Sequence, residues 1–272
     1  MTRSVCGLLL VLLMAPAGAA RLDFAGEVIE GGLLIGSTEA DAQVYIDGNR
    51  VRVSPKGKFL VGFHRQEPDP VIVKAVFSDG SETTHRFDVQ RREYAIQRID
   101  GLPPRKVTPT DEDLVRIRKE YALARKARAR DDERSDFLAD FVWPAIGPIS
   151  GVYGSQRILN GKPRRPHYGV DVAVPTGTPV RAPAAGIVTL AYPDMYFSGG
   201  TLILDHGHGL SSSFLHLSKL LVSEGQRVKQ GDIIAGVGAT GRVTGAHLDW
   251  RMNLKKKRLD PKLLVGPMPQ AQ

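Results

Sequence analysis

The sequence predicts a mainly β protein: a small N-terminal β-sandwich-like domain, a helical linker and a C-terminal antiparallel β domain. Length is the first reason, since 272 residues exceed the ~100–150 of one ordinary domain. Pattern is the second. Short alternating runs bounded by Gly, Pro and Asp-Gly turns fill the chain up to Tyr94 and return after Phe141. The third is the break between them, where a Pro-rich stretch leads into an apolar stripe at helical spacing. The divisions read as a signal peptide (1–20), the N-terminal β domain (21–97), linker and helix (98–140), the C-terminal domain (141–265) and a tail (266–272).

The leader has the three parts of a secretory signal: Arg3, the apolar run Gly7 to Pro16, and the small residues Ala17-Gly18-Ala19-Ala20 for signal peptidase. The run is shorter than the ~20 apolar residues that span a bilayer, so no stable membrane span is expected after cleavage. The expected location is periplasmic or secreted. Cys6 is the only cysteine and falls within the leader. The mature chain is therefore expected to have neither disulfide nor cysteine-based metal site, and to depend on packed cores. A net charge of +8 suits nucleic acid, anionic lipid or an acidic wall polymer. Export argues against nucleic acid, as does the lack of a basic helix with groove-reading spacing.

In the N-terminal domain, Val44-Tyr45-Ile46 and Val51-Arg52-Val53 flank Asp47-Gly48-Asn49, a strong hairpin turn. Lys58 to Phe63, Val71 to Phe77 and Thr83 to Val89 continue the strands, with a second turn at Asp79-Gly80. His64 and His85 are isolated and read as strand-surface residues. Asp100 to Pro109, with Gly101, Pro103, Pro104 and Pro109, reads as a stiff linker. Thr110 is the expected N-cap of a helix, and Asp111, Glu112 and Asp113 suit the positive end of its dipole. Leu114, Ile117, Tyr121 and Ala124 are its expected buried stripe, and the charged run Arg125 to Arg134 its solvated face. Later strands are expected at 180–183, 186–190, 201–204, 212–215 and 233–235.

Five of the seven histidines lie between positions 167 and 247, a first pointer to a metal. Three strings stand out: His167-Tyr-Gly-Val-Asp171, His216 in Phe214-Leu-His-Leu-Ser218, and His247-Leu-Asp249. On a strand, His247 and Asp249 would share one face with Cα atoms ~6–7 Å apart. His167 and Asp171 would be ~13 Å apart if extended, too far to share an ion bonded at ~2.0–2.2 Å. The chain must therefore bend between them, with Gly169 as the permissive position.

These strings, in this order, resemble the lysostaphin-type (LytM-like) zinc metallopeptidases, which hydrolyse peptide bonds in peptidoglycan. The similarity runs over about 142–265 and includes Asp205-His206-Gly207, Val228 to Asp232 and Thr240 to Gly245. It implies that His167 and Asp171 bind one Zn2+ as the HxxxD pair. It also implies catalytic roles for His216, the histidine of the HLS string, and for His247, the first of the HxH pair. The chain departs from the family pattern at Asp249, which stands where the third zinc-binding histidine is usual. Aspartate is a competent ligand, but one imidazole and two carboxylates would formally cancel the ion's charge. A weaker Lewis acid, or a preference for another divalent metal, is then expected. The implied function is an exported zinc endopeptidase cutting peptidoglycan cross-links, by metal-activated water with two auxiliary histidines. In related Gram-negative enzymes the bond joins D-alanine to diaminopimelate. The rival reading is a non-catalytic LytM-like regulator that binds murein or activates an amidase partner.

Other features have blander readings. His206 and His208 are expected in a tight turn, exposed or hydrogen-bonded. Glu224 to Ile234 reads as scaffold rather than a carrier hairpin. Met195-Tyr196-Phe197 would line a cleft or pack a loop, and Arg242 and Thr244 would lie near the cleft.

Overall fold

The computed structural model describes residues 21–270, so the leader and Cys6 lie outside the described residues. Within them no helix is long and apolar enough to cross a membrane. Strands β1 (Leu22–Gly26), β2 (Leu33–Thr38) and β5 (Lys58–Gly62) form one antiparallel sheet. A second has the order β4-β3-β6-β7, from β3 (Gln43–Ile46), β4 (Asn49–Val51), β6 (Val71–Val76) and β7 (Glu82–Phe87). Asp47 and Gly48 both take positive φ, 48° and 76°, as the tight β3–β4 hairpin requires. Alternation is clearest in β6, where Val71, Val73 and Ala75 are buried against Phe59, Val61 and Phe63.

The Pro-rich stretch is packed rather than a free spacer. Strand β8 (Ile96–Ile99) pairs in parallel with β10 (Gln156–Leu159), and α1 (Pro104–Val107) buries Val107 with Leu102 against Leu159. Helix α2 (Asp111–Ala127) starts with a capping box: Thr110 accepts from the Asp113 N–H and Asp113 from the Thr110 N–H. Its buried side differs from the expected stripe. Ile117 and Ala124 are covered, but Leu114 is 37% and Tyr121 56% exposed, and Asp113, Glu120 and Ala127 are buried instead. The reason is polar: Glu120 accepts from the Tyr196 N–H at 2.8 Å and Asp113 from the Tyr196 hydroxyl at 2.9 Å. The charged run is likewise no solvated helix face. The helix ends at Ala127, after which Asp131 pairs with Arg52, and Arg134 with the buried Asp205.

The C-terminal part is built on an eight-stranded, wholly antiparallel sheet in the order β18-β14-β15-β16-β20-β12-β9, with β21 paired to β20. Its members are β9 (Ile149–Gly151), β12 (Val170–Val172), β14 (Gly186–Met195), β15 (Gly199–Asp205), β16 (Leu210–Leu217), β18 (Arg227–Val228), β20 (Leu248–Leu254) and β21 (Lys257–Leu259). Strand β11 (Lys162–Pro163) extends the β8–β10 pair, while β13 (Pro179–Arg181), β17 (Lys219–Leu220) and β19 (Ile233–Gly236) form a small sheet. Strands β15 and β16 are buried along their whole length. Beneath the large sheet lies a core that includes Phe214, Leu202, Leu204 and Trp250, and on its other face α2 packs Ala124 and Ala127 against Leu190, Met195 and Ile203.

Candidate metal centre

Register brings the site together. Asp171 on β12 lies directly opposite Asp249 on β20, and Asp249 opposite Leu215 on β16. Opposed residues on neighbouring strands face the same side of a sheet. His216 follows Leu215 and would point away by simple alternation. A register shift in the β15–β16 ladder and a positive φ of 65° at His216 turn it to that side. His167 lies just before β12, where its N–H donates to the Ser155 carbonyl and its own carbonyl accepts from Gly154. The bend down to Asp171 does not use left-handed backbone at Gly169. A Cβ there would meet Asp249 Oδ1, Arg251 Cγ and Trp250 O, each at 2.6 Å, so glycine is required for space.

Ligand-capable atoms of His167, Asp171 and Asp249 all lie within 4.8 Å of one another, and the three residues are buried. Nε2 of His167 is 3.0 Å from Asp171 Oδ1 but not aligned as a hydrogen bond. Neither ring nitrogen of His167 nor Asp171 Oδ1 has a hydrogen-bond partner among the described residues. Buried polar atoms left without partners are costly, and a small divalent cation would satisfy them. The donor set therefore fits such an ion.

Two arginines that the sequence reading missed complete the electrostatics. Arg157 Nη2 donates to Asp171 Oδ2 at 2.6 Å, and Arg251 binds both oxygens of Asp249 at 2.8 and 2.5 Å. Burial opposes ionisation of both carboxyls. For Asp249 it is overcome by Arg251 and His167, and for Asp171 by His167 and Arg157 against the repulsion of Asp249, so both are held below the usual carboxylate range. The two carboxylates expected to cancel a divalent charge do not stand alone. Two guanidinium groups offset them, while carboxylate oxygens keep further lone pairs for a metal.

His216 and His247 stand beside this cluster with ring centroids 4.9 Å apart. Nδ1 of His216 faces the Thr240 carbonyl at 2.8 Å, and Nδ1 of His247 the Gly245 carbonyl at 2.9 Å, so each Nδ1 carries the proton. Both Nε2 atoms face the cluster, 3.9 Å from Asp249 Oδ2 and Asp171 Oδ1 respectively. Burial pushes the His216 imidazole down to about 4, so it is neutral at pH 7.

The remaining histidines lie elsewhere. His206 and His208 are buried: His206 is held by the Ala185 carbonyl and Ser212, each at 2.7 Å, and His208 packs on Phe137. His85 is on the exposed β7, and His64 follows β5 and leans on Tyr168, with ring centroids 5.7 Å apart. Met195, Phe197 and Arg242 line a cavity next to His216, while Thr244 is exposed outside it.

Residues 165–261 match the profile of peptidase family M23. Peptidoglycan DD-endopeptidase ShyA of Vibrio cholerae is 42% identical over 103 residues, 38% of this chain and 24% of that protein. The DD-carboxypeptidase/endopeptidase Mpg of Neisseria meningitidis is 36% identical over 106 residues, 39% of this chain and 24% of that protein. The chain thus aligns with about a quarter of the length of these curated relatives. A crystal structure from Pseudomonas aeruginosa assigned to peptidase M23 superposes with a TM-score of 0.70 at 32% identity, covering 89% of this chain and 96% of that one. That match covers far more of the chain than the family profile does. The chain belongs to peptidase family M23.

Proposed function

We propose that the mature chain is an exported, zinc-dependent endopeptidase that hydrolyses peptide cross-links of peptidoglycan. One observation carries the reading: His167, Asp171 and Asp249 gather within 4.8 Å, with the Nε2 atoms of two further histidines 3.9 Å from the carboxylates. When bound, the ion would bring the pKa of its water toward ~7 and polarise the scissile carbonyl. His167, Asp171 and Asp249 would hold it, with Arg157 and Arg251 orienting the carboxylates. Neutral His216 is the base that accepts a proton at Nε2, because Thr240 fixes the other nitrogen as the donor. His247 is more exposed than His216 and presents Nε2 to Asp171 rather than Asp249, where it would return a proton to the leaving nitrogen. The net charge of +8 suits an acidic wall polymer, and relatives named peptidoglycan endopeptidases support the substrate class.

The test is zinc analysis of the purified mature protein together with digestion of cross-linked murein, with and without chelator. One zinc per chain and chelator-sensitive cleavage are expected, both lost in Asp249→Ala. An Asp249→Ala protein that keeps its zinc and still cuts would show that the ligand set is wrong. Murein binding that survives chelator with no bond broken would instead mark a non-catalytic regulator.

A further inference from the structure

Beside the metal cluster lies a half-open cavity of about 160 Å³, walled by α2 on one side and by β15, β16 and β20 on the other. Five arginines line it: Arg128, Arg157, Arg242, Arg251 and Arg258. Arg157 and Arg251 are engaged by Asp171 and Asp249. Arg128, Arg242 and Arg258 have no carboxylate partner among the described residues. Arg242 stacks on Phe197 at 4.4 Å, its guanidinium reaching only the Lys106 carbonyl at 3.4 Å, and Arg258 reaches the amide oxygen of Asn253 at 3.2 Å. The one acidic residue in the lining, Glu120, is occupied by Arg116 at 2.7 Å and by the Tyr196 N–H.

Three half-buried cations without carboxylate partners are costly to keep, and each additional one repels the others. Burial first, and then the neighbouring guanidinium groups, push Arg128 and Arg242 down to about 10 and Arg258 to about 9. A second, independent observation points the same way. Ser213 is 3% exposed, lines the same cavity, and its Oγ has no hydrogen-bond partner among the described residues. Guanidinium groups that lack a carboxylate and line one cavity with an unpartnered hydroxyl define an anion site, and their planar forks match a carboxylate. The volume selects the size of the ligand. A space of about 160 Å³ holds one terminal group, well short of the ~300–1,000 Å³ of sites that enclose a whole ligand.

We propose that Arg128, Arg242 and Arg258, with Ser213, bind a free carboxylate of the substrate peptide close to the scissile bond, making the enzyme selective for peptides that carry that acid. The inference rests on the peptidase reading above. His216, Arg157 and Arg251 border both the cavity and the metal cluster, so a carboxylate held there lies one side chain from the reacting amide. Because Arg128 caps α2, the site is completed by an element outside the matched segment 165–261.

Binding separates this inference from catalysis. N-acetyl-D-alanyl-D-alanine and its C-terminal carboxamide would be titrated calorimetrically into the full mature protein in the presence of chelator, so that nothing is cut. The acid is expected to bind ~10- to 100-fold more tightly than the amide, the worth of one or more charge-assisted hydrogen bonds. Arg242→Gln and Arg128→Gln should each remove most of that difference, weakening the acid far more than the amide, with partial recovery in Arg242→Lys. The two positions lie on different elements, so misfolding of one variant leaves the other as the test. Equal binding of acid and amide by the wild type, no binding of the acid, or selectivity that survives both replacements would overturn the proposal. So would displacement of the acid by inorganic phosphate at lower concentration than by its own free peptide. Carboxylate-selective binding without murein cleavage would sink only the hydrolase reading, and cleavage without that selectivity only this one.

Discussion

At Gly169 the chain needs room rather than dihedral freedom, because Asp249, Trp250 and Arg251 crowd the space a side chain would take. Gly169→Ala alters none of the proposed metal ligands. It should nevertheless push Asp249 or the β20 backbone aside, lowering stability by ~1–3 kcal/mol as overpacking does. Zinc content and murein cleavage should fall with it. A variant that melts and binds zinc like the wild type would refute the close approach. Much of the site was legible at this scale. The two-residue spacing of His247 and Asp249 places both beside Asp171, and a further step of two reaches Arg251, so that partner could have been read from strand parity. Arg157 could not, since it reaches Asp171 only because β10 folds beside that segment. His206 was also out of reach, since nothing local shows that its ring is sealed in. Burial lowers it to about 4 from 6.5, with Asp136 opposing and Arg134 and Arg227 assisting. A depressed histidine contributes stability that is present above pH 6.5 and lost as pH falls toward 4, about 3 kcal/mol in all. Asp205 beside it is pushed up to about 6 by burial, and its contribution runs the other way over much of that range. The histidine slope is therefore isolated by difference. Between pH 7 and pH 4, His206→Gln should gain about 3 kcal/mol relative to the wild type in denaturant titrations. A constant offset would show that the ring is not held neutral.

Among the elements, α2 shows best where sequence periodicity stops. Its N-cap and acidic first turn were readable at Thr110 to Asp113, because capping is local chemistry. Its buried face was misread because apolar periodicity cannot register that Asp113 and Glu120 serve Tyr196 across 83 and 76 residues. The same limit applied to β15 and β16: buried on both faces, they show no alternation that would mark their full length. The polar clamp suggests how α2 stays over the cavity. The Tyr196 hydroxyl bonds Asp113 and lies 2.8 Å from the Arg105 carbonyl, Lys106 donates to the Tyr196 carbonyl, and Arg116 pairs with Asp194. Tyr196→Phe removes the hydroxyl and leaves the ring. Amide exchange through 111–127 should speed up by about tenfold, as expected for losing a buried hydrogen bond of ~1–1.5 kcal/mol, with β16 unchanged. Uniform acceleration across the protein would mean that α2 opens only with the whole fold.

At the scale of the whole molecule, the N-terminal sheets are bound into the peptidase rather than tethered to it. Leu60 of β5 belongs to the C-terminal core, Gly62 lies where a Cβ would touch Leu254 and Leu259 at 3.1 Å, and Glu67 pairs with Lys257 at 2.5 Å. At the centre of this junction is Asp260. Its carboxylate accepts from Arg92 at 2.8 Å and from the Lys262 N–H at 3.0 Å, and its own N–H donates to the Gly31 carbonyl. The sequence showed two β regions and a Pro-rich break, but the break proved to be a packed segment whose β8 adds to a C-terminal strand. Contacts across hundreds of residues leave no local trace, so this union could not be read in advance. It has a thermodynamic consequence. If both parts share one core, they should melt in a single transition, with the calorimetric and van't Hoff enthalpies in agreement. Asp260→Asn keeps the cap to Lys262 but leaves Arg92 without its anion, at a cost of ~1.5–3 kcal/mol. That change should lower the one transition as a whole. Two separated transitions, with only the lower one moved, would show that the N-terminal sheets are an independent domain.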